Sequence, residues 1–407
     1  MSQQPDELLK EGEDAAELEE LEEIKKILAE KEPQESADRA APTRKKKRKP
    51  WWRRLLKALL ILLLVLLSLL IVAGITVTIL YYQGKSSMLN YDDATIVFPQ
   101  PEEAQSPDPS QEAPQDYILS YDDGKTVTYQ GKKYVLNENV SALLFIGVDK
   151  NELEKNEQYG SGGEADCILL IGLDTVTGET KVVNISRDSY AQVDIYSANG
   201  KYLESRSTQL CRAFAFGDGQ EQSCENVVKS VSRLLYGLPI QSYIAMDMQA
   251  LGVANDAIGG VTLVPQGDIV ERYYASYPAG EPVTLWGKDA LRYVRSRDKS
   301  NIEGNLDRMS RQKQYITAFV EKALQETKSD ITTLLSLYQA MSGYTYTDMS
   351  LADVTFLLTG FVSNGAQFDF STITGTAELV GENAVYYLDQ TSLYETVLKV
   401  YYTPVEE

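Results

Sequence analysis

Apolar and polar positions divide the chain into four stretches. Residues 1–57 are mostly charged, and within residues 1–40 a helical spacing of Leu18, Leu21, Ile24 and Leu28 interrupts a Glu-rich tail that reads as disordered with transient helix. Ala58 to Leu80 is an apolar run of 23 residues broken only by Ser68, Gly74, Thr76 and Thr78. That length suffices for a helix to cross a bilayer. Residues 83–116 are poor in apolar positions and carry Pro99, Pro101, Pro107, Pro109 and Pro114, the composition of an extended linker. From residue 117 onward the pattern changes to short apolar runs set between turns. Tyr117 to Leu136 reads as a hairpin around a DDGK turn. Ala142–Val148, Cys167–Leu173 and Lys181–Ser186 read as three buried strands, the last two joined through Thr177-Gly178 as an antiparallel hairpin.

The rest of the chain alternates. Val227–Leu235 and Gln249–Ile258 have helical spacing, with Ile244–Met248 as a strand between them and Val261–Val264 as a short strand after them. Leu291–Arg297 is expected as a strand that puts Tyr293, Arg295 and Arg297 on one face. Asn305–Leu324 is expected as a helix with an apolar stripe at Met309, Ile316, Val320 and Ala323. Ile331–Met341 and Leu351–Leu358 read as helices, and Thr372–Leu379 and Tyr386–Leu388 as strands. The implied fold class is α/β (α+β): a mixed central sheet flanked by helices, preceded by one transmembrane helix. The domain boundaries are then 1–57 for a cytoplasmic tail and basic juxtamembrane segment, 58–82 for the membrane helix, 83–116 for the linker and 117–407 for the main domain.

Charge orients this arrangement. The segment RKKKRKPWWRR, Arg44 to Arg54, precedes the apolar run and YYQGK follows it, which places the N-terminus inside and the main domain in the extracytoplasmic space. Trp51, Trp52, Tyr81 and Tyr82 suit the two interfaces. Residues 1–57 hold 14 acids and 14 bases, so the whole net charge of -20 lies beyond them, as 45 acids against 25 bases. A domain that acidic is repelled by nucleic-acid phosphates. With no histidine in the chain, imidazole bases and ligands are excluded. No GxSxG, P-loop or CxxC occurs; Cys167 lies in an apolar run, and pairing of Cys211 with Cys224 stays open.

Against that background, residues 291–314 hold five arginines. Arg295 and Arg297 leave one segment, and Arg308 and Gln312, four apart, neighbour each other on the next helix. Such a cluster suits an anion with several oxygens, such as pyrophosphate; the alternative is a solvated basic face. Antiparallel order in the first three strands would bring Asp149, Asp166, Arg187 and Asp188 to one sheet edge. Carboxylates beside an arginine there suit a hard cation shared with a phosphate; strand ends that simply attract charge are the alternative.

Several pieces resemble the LytR-CpsA-Psr family of bacterial cell-envelope proteins: FIGVDK at 145–150, ADCILLIGLD at 165–174, VVNISRDSY at 182–190, MQALGVANDAIGGV at 248–261, and LRYVRSRD with NLDRMSRQKQ in 291–314. The resemblance covers about residues 140–325. It implies a membrane-anchored phosphotransferase, of a Gram-positive-type cell envelope, that moves an anionic glycopolymer (teichoic acid, capsule or related polysaccharide) from a polyprenyl-pyrophosphate carrier to peptidoglycan. It implies Mg2+ (or Mn2+) as cofactor, with Asp149 and Asp166 at the metal positions. Arg187, Arg295, Arg297, Arg308 and Gln312 fall at pyrophosphate positions, and Asp188 would orient Arg187 or assist proton transfer. For an apolar polyprenyl pocket between sheet and helices, Leu234, Leu235 and Ile244 are the candidate wall. The departures are local. Asn305 stands where the family often has an acid, and QLCRAF replaces Lys-Ile-Asn-His-Ala-Tyr, so that Gln209 stands for a lysine and Arg212 for a histidine. Glu164 to Cys167 replaces Arg-Ser-Asp-Thr. These departures keep a non-catalytic module binding lipid-linked pyrophosphate or glycan as the rival reading.

Overall fold

The computed structural model describes residues 51–92, 94–99, 118–155, 159–265, 269–271, 275–296, 304–330, 332–364, 367–381 and 383–405. The acidic tail, the basic tether, residues 100–117 of the linker and Arg297 lie outside the described residues. The chain divides into two units, residues 1–68 and 69–407.

Helix α1 (Trp51–Met88) contains the apolar run, and it is long and apolar enough to cross a membrane. Its hydroxyls fold back on its own backbone: Ser68, Thr76 and Thr78 donate to Val65, Val72 and Gly74 carbonyls. A helix in hydrocarbon must satisfy its polar groups internally in this way. The linker expectation fails over residues 83–99: 83–88 are the last residues of α1, and the segment after them packs on the domain. Tyr91, Ile96 and Phe98 are buried in the main core, and the Tyr91 hydroxyl donates to the Val140 carbonyl at 2.7 Å. Those three side chains, with Ala94 packed beside them, hold the segment against the core.

The expected hairpin is present as β1 (Leu119–Tyr121), β2 (Thr126–Tyr129) and β3 (Lys132–Leu136). The central sheet is built on β4 (Val140–Val148), β5 (Ala165–Asp174) and β6 (Glu179–Ile185); β5 and β6 form the antiparallel hairpin that the turn chemistry predicts, and β4 is antiparallel to β5 as well. A second hairpin follows, β7 (Tyr190–Tyr196) with β8 (Tyr202–Gln209), then a short helix α2 (Arg212–Ala215) and α3 (Glu221–Leu234). Next come β9 (Ser242–Met246) and α4 (Met248–Ala257), whose N-cap Asp247 accepts from the amides of Gln249 and Ala250. Short strands β10 (Val261–Leu263), β11 (Ile269–Glu271), β12 (Ala275–Tyr277) and β13 (Val283–Leu285) lead to helices α5 (Lys288–Arg295), α6 (Gly304–Ser329) and α7 (Thr332–Met341). The chain closes with β14 (Thr345–Thr347), α8 (Leu351–Asn364), β15 (Gln367–Thr372), β16 (Gly375–Val380), β17 (Asn383–Leu388), α9 (Gln390–Tyr401) and β18 (Tyr402–Pro404).

The six-stranded sheet runs β14-β9-β4-β5-β6-β15, with parallel pairs at β4–β9 and β6–β15 and antiparallel pairs elsewhere, so it is mixed as expected. A second sheet, β1-β2-β3-β18, brings the two ends of the main domain together. Side chains alternate across the central sheet. Leu144, Ile146, Ile168, Leu170 and Ile185 face the main core with α3 and α9. Each such fully buried aliphatic side chain contributes about 1.5–3 kcal/mol. Phe145, Leu169, Ile171 and Val182 face the other way, toward α4, α5 and α6.

Of the segment expected as a strand at Leu291–Arg297, residues 291–295 are the end of helix α5 and Ser296 follows it. Ala290, Tyr293 and Val294 are its buried residues, a spacing of three and four, and Arg292 pairs with Asp289 one turn back at 2.7 Å. Tyr293 and Arg295 therefore do not share a face as strand periodicity would have it. Tyr293 points into a small core beside Tyr277, and its hydroxyl bonds Gln314. The stretch expected as one strand at Thr372–Leu379 is two, β15 and β16, separated by buried Ile373.

Candidate functional site

The antiparallel order of β4, β5 and β6 puts the end of β4, the start of β5 and the end of β6 at one edge of the sheet. Asp149, Asp166, Arg187 and Asp188 meet there. A β-bulge refines the placement: Gly147 pairs with Cys167 and Val148 with Ala165, so Asp166 is the extra, unpaired residue. A bulge re-aims the side chain it inserts, and Asp166 and Cys167 consequently both line the same cavity.

Arg187 is the hub. One guanidinium nitrogen pairs with Asp166, another with Glu164, and Nε lies 3.5 Å from an oxygen of Asp188. Nη2 also donates to the Cys211 thiol at 3.1 Å. Burial works against the charge on Arg187, but Cys211, Glu164 and Asp188 together raise its pKa above the usual arginine value. Burial pushes the Cys211 thiol up to about 12, so it stays protonated beside the cation. Glu164 locks the first strand in as well, since its amide donates to Asp149 Oδ1 at 2.6 Å. Asp188 accepts from Gln209 at 3.1 Å, and Gln209 also reaches the Ala384 carbonyl at 2.8 Å. Gln209 thus holds Asp188 in place with a neutral amide. Arg212, the substitute cation in QLCRAF, instead donates to Asn383 at 3.2 Å.

Helices supply the other half. Arg308 and Gln312 sit one turn apart on α6, 5% and 7% exposed, and both line the cavity. Arg295 ends α5 at the same cavity, with Nη1 2.7 Å from the Met248 sulfur. Asp149, Asp166, Arg295, Arg308 and Gln312 therefore line one cavity of about 290 Å³. Arg187 and Asp188 are not among its lining residues: Arg187 pairs with the lining residue Asp166, and Asp188 pairs with Arg187. Behind the charged end the wall is apolar: Leu169, Ile171 and Val182 from the sheet, Leu251 from α4, Phe319 and Val320 from α6, and Phe368 and Phe370 from β15. From Asp166 to Ile171 along β5 is about 16 Å at the strand rise. The cavity is thus a narrow apolar trough with a charged mouth.

Leu234, Leu235 and Ile244 are not among its lining residues. Leu235 is fully buried in the core on the opposite face of the sheet, and Leu234 packs against that core, because α3 covers the other side. The residue that motif reading passed over is Glu164. Its signal was available: an acid two positions before Asp166, at the start of a buried strand. The three cysteines are free, so Cys211 and Cys224 are not joined.

Among the described residues no group of three or more carboxylates or thiols is arranged to enclose a metal. Asp149 and Asp166, two carboxylates at one cavity mouth, do fit a hard cation of the Mg2+ kind. Such an ion keeps most of its waters and is held by one or two carboxylates together with substrate phosphate.

The LytR_cpsA_psr family model matches residues 112–400. The chain belongs to this family. The match extends beyond the motif-bearing stretch to include β15–β17 and α9. Among relatives within the LytR_cpsA_psr family, the polyisoprenyl-teichoic acid–peptidoglycan teichoic acid transferase TagU of Oceanobacillus iheyensis is 27% identical over 252 residues, covering 60% of this chain and 69% of the relative. TagU of Bacillus licheniformis is 25% identical over 260 residues, covering 63% and 76%. Among solved structures, Bacillus subtilis TagV shares the fold, with a TM-score of 0.51 at 22% identity over 65% of this chain and 97% of that one.

Proposed function

We propose that this chain is a membrane-anchored phosphotransferase that moves an anionic glycopolymer, teichoic acid in the first instance, from a polyprenyl-pyrophosphate carrier to peptidoglycan. The observation that carries this reading is the single cavity in which buried Arg308 and Gln312 join Asp149, Asp166 and Arg295 at the mouth of an apolar trough. A charged head on a long apolar tail matches that division. The anchor α1 and the basic residues before it support a domain held outside the membrane, where such a carrier presents its glycan.

In this reading Arg295 and Arg308 donate to the pyrophosphate oxygens, and Gln312 adds a neutral donor beside them. A divalent cation, Mg2+ or Mn2+, held by Asp149 and Asp166 would offset charge on the bridging phosphate. Asp188, steadied by Gln209 and Arg187, takes the proton from an acceptor hydroxyl. That hydroxyl oxygen bonds to the phosphorus bearing the glycan. The bond from that phosphorus to the bridging oxygen breaks, and the electron pair leaves with polyprenyl phosphate. Positive groups fixed in advance around the pyrophosphate stabilise the developing charge without reorganising.

The test is transfer of a labelled lipid-linked glycan to peptidoglycan by the full chain in vesicles, with and without a chelator. Chelation and Arg295→Ala should each abolish transfer while leaving the chain folded. A second reading, a module that binds the lipid-linked pyrophosphate without turnover, draws on Glu164, which already occupies Arg187. It predicts binding that survives chelation, with neither transfer nor pyrophosphate cleavage at any cation concentration; that result would overturn the enzyme reading.

A further inference from the structure

Helix α8 departs from the rest of the surface. The domain is strongly acidic, yet Leu351–Asn364 carries one ionisable residue, Asp353. Asp353 does not face water; it is buried at the helix start, where it accepts from the amide and hydroxyl of Ser350 at 2.8 and 2.6 Å. The outward face instead presents Leu351, 70% exposed, and Leu358, 40% exposed, seven residues and two turns apart. A water-facing helix normally carries charge on that face.

The position of α8 explains the anomaly. It crosses α1 at Gly84: a Cβ there would overlap the Ala352 carbonyl and the Phe356 Cβ, so only glycine allows the approach. Tyr81 meets the Phe356 ring edge-on at 5.3 Å. Gly84 lies four residues beyond Leu80, the end of the apolar run, which is about 6 Å at the helical rise. The headgroup layer on each side of the hydrocarbon is about 5–8 Å thick. The crossing point therefore falls in that layer, at the level of exposed Tyr82.

We infer that α8 is an interfacial helix, with its Leu351–Leu358 face seated in the headgroup layer of the membrane that α1 spans. This rests on α1 being a membrane span. The partner is the lipid surface itself: the face carries no charge to pair with an acidic or basic protein, and it adjoins α1, the one helix among the described residues that is long and apolar enough to cross a membrane. A helix laid across the anchor at that depth gives the domain a second membrane contact, which restrains its rotation and tilt about α1.

The experiment is spin-label accessibility on the full chain in phosphatidylcholine–phosphatidylglycerol vesicles. Single cysteines are placed by Leu358→Cys and Leu351→Cys on α8, Val72→Cys on α1, and Leu379→Cys on β16, with the unsubstituted chain labelled as blank. Labels at 358 and 351 should show an oxygen-to-nickel-chelate accessibility ratio several-fold above that at 379. If 72 reads as lipid and 358 matches 379, the proposal fails and the anchor stands. If 72 also reads as water, the anchor reading fails and takes the proposal with it. Dipolar broadening between labels at 358 of two copies would show that a second chain covers the face, which also overturns it.

Discussion

Arg308 has little access to water, faces an apolar trough, and shares one turn of α6 with an equally buried glutamine. An anion in the trough would take charge-assisted hydrogen bonds from its guanidinium. Arg308→Met keeps the volume and removes the donors. A hydrogen bond to a charged group contributes about 1.5–3 kcal/mol, so transfer should fall roughly 10- to 100-fold. The melting temperature separates the roles: a fall in transfer out of proportion to any fall in stability supports anion binding, and a matching fall in both would mean that Arg308 is structural. Glu164 works in the opposite direction, since its carboxylate occupies a guanidinium nitrogen of Arg187. It is partly exposed, and a pair of that kind is worth at most about 1 kcal/mol, so Glu164→Gln should lower the half-saturating concentration of lipid-linked donor by up to about fivefold. Titrating donor against transfer rate checks it, and an unchanged KM would show that Glu164 does not compete for Arg187. At this scale the sequence was informative wherever charge interrupted an apolar run, which is how Asp149, Asp166, Arg187 and Arg308 stood out. Glu164 was hidden because it occupies a motif position read for its missing arginine rather than for its own carboxylate.

The β7–β8 hairpin shows what the sequence could not display at the scale of elements. β8 (YLESRSTQ) is exposed along nearly its whole length and has no apolar alternation, so no period marks it as a strand. What holds it is polar: Asp194 on β7, fully buried, pairs with Lys229 at 2.5 Å and Arg233 at 2.7 Å on α3 and accepts from Ser205 on β8. Partners so far apart in the chain leave no local trace. α9 was missed differently, since Leu393, Tyr394, Val397, Leu398 and Tyr401 do have helical spacing and Asp389 caps the start. α5 misled because a short segment of mixed polarity fits a period of two nearly as well as one of 3.6. The Asp194 cluster makes a pH prediction. Burial alone would raise its pKa, but hydrogen bonds from Arg233, Lys229 and Ser205 outweigh burial and hold it at about 2. A carboxylate lowered on folding contributes stability above its unfolded pKa, and that contribution is lost as pH falls through the folded value. At 1.36 kcal/mol per unit the contribution is roughly 2 kcal/mol, present at neutral pH and lost between about pH 4 and 2. Asp194→Asn should therefore lower the urea midpoint clearly at pH 7 and by progressively less toward pH 2. A deficit that does not change with pH would show that the charge is not what matters.

Across the whole molecule, the central sheet separates two environments. One face closes on a continuous core that ties residues 91–98, α3 and α9 together. The other face is left partly open toward α4, α5 and α6, and that opening is the trough. The β5–β6 hairpin was legible from its turn, and the charged edge followed on the condition, now met, that β4 also runs antiparallel to β5. The trough itself needed the long-range pairing of β15 with β6, which brings Phe368 and Phe370 into the wall from almost 190 residues away in the chain. Because trough and core lie on opposite faces, the trough can be altered without unfolding the domain. Leu169 is the residue to use: it alternates with core residues Ile168 and Leu170 but faces the trough. Leu169→Trp adds bulk to a space of about 290 Å³, not to the packed core. Overpacking a filled core costs typically 1–3 kcal/mol, whereas filling an open trough should leave the melting temperature within a few degrees. Long-chain polyprenyl-pyrophosphate donors should then bind much more weakly, while inorganic pyrophosphate and a donor shortened to one or two isoprene units keep their affinity, because the charged mouth is untouched. Equal loss for long and short donors would mean that the trough does not hold the lipid tail, and the apolar wall would need another occupant.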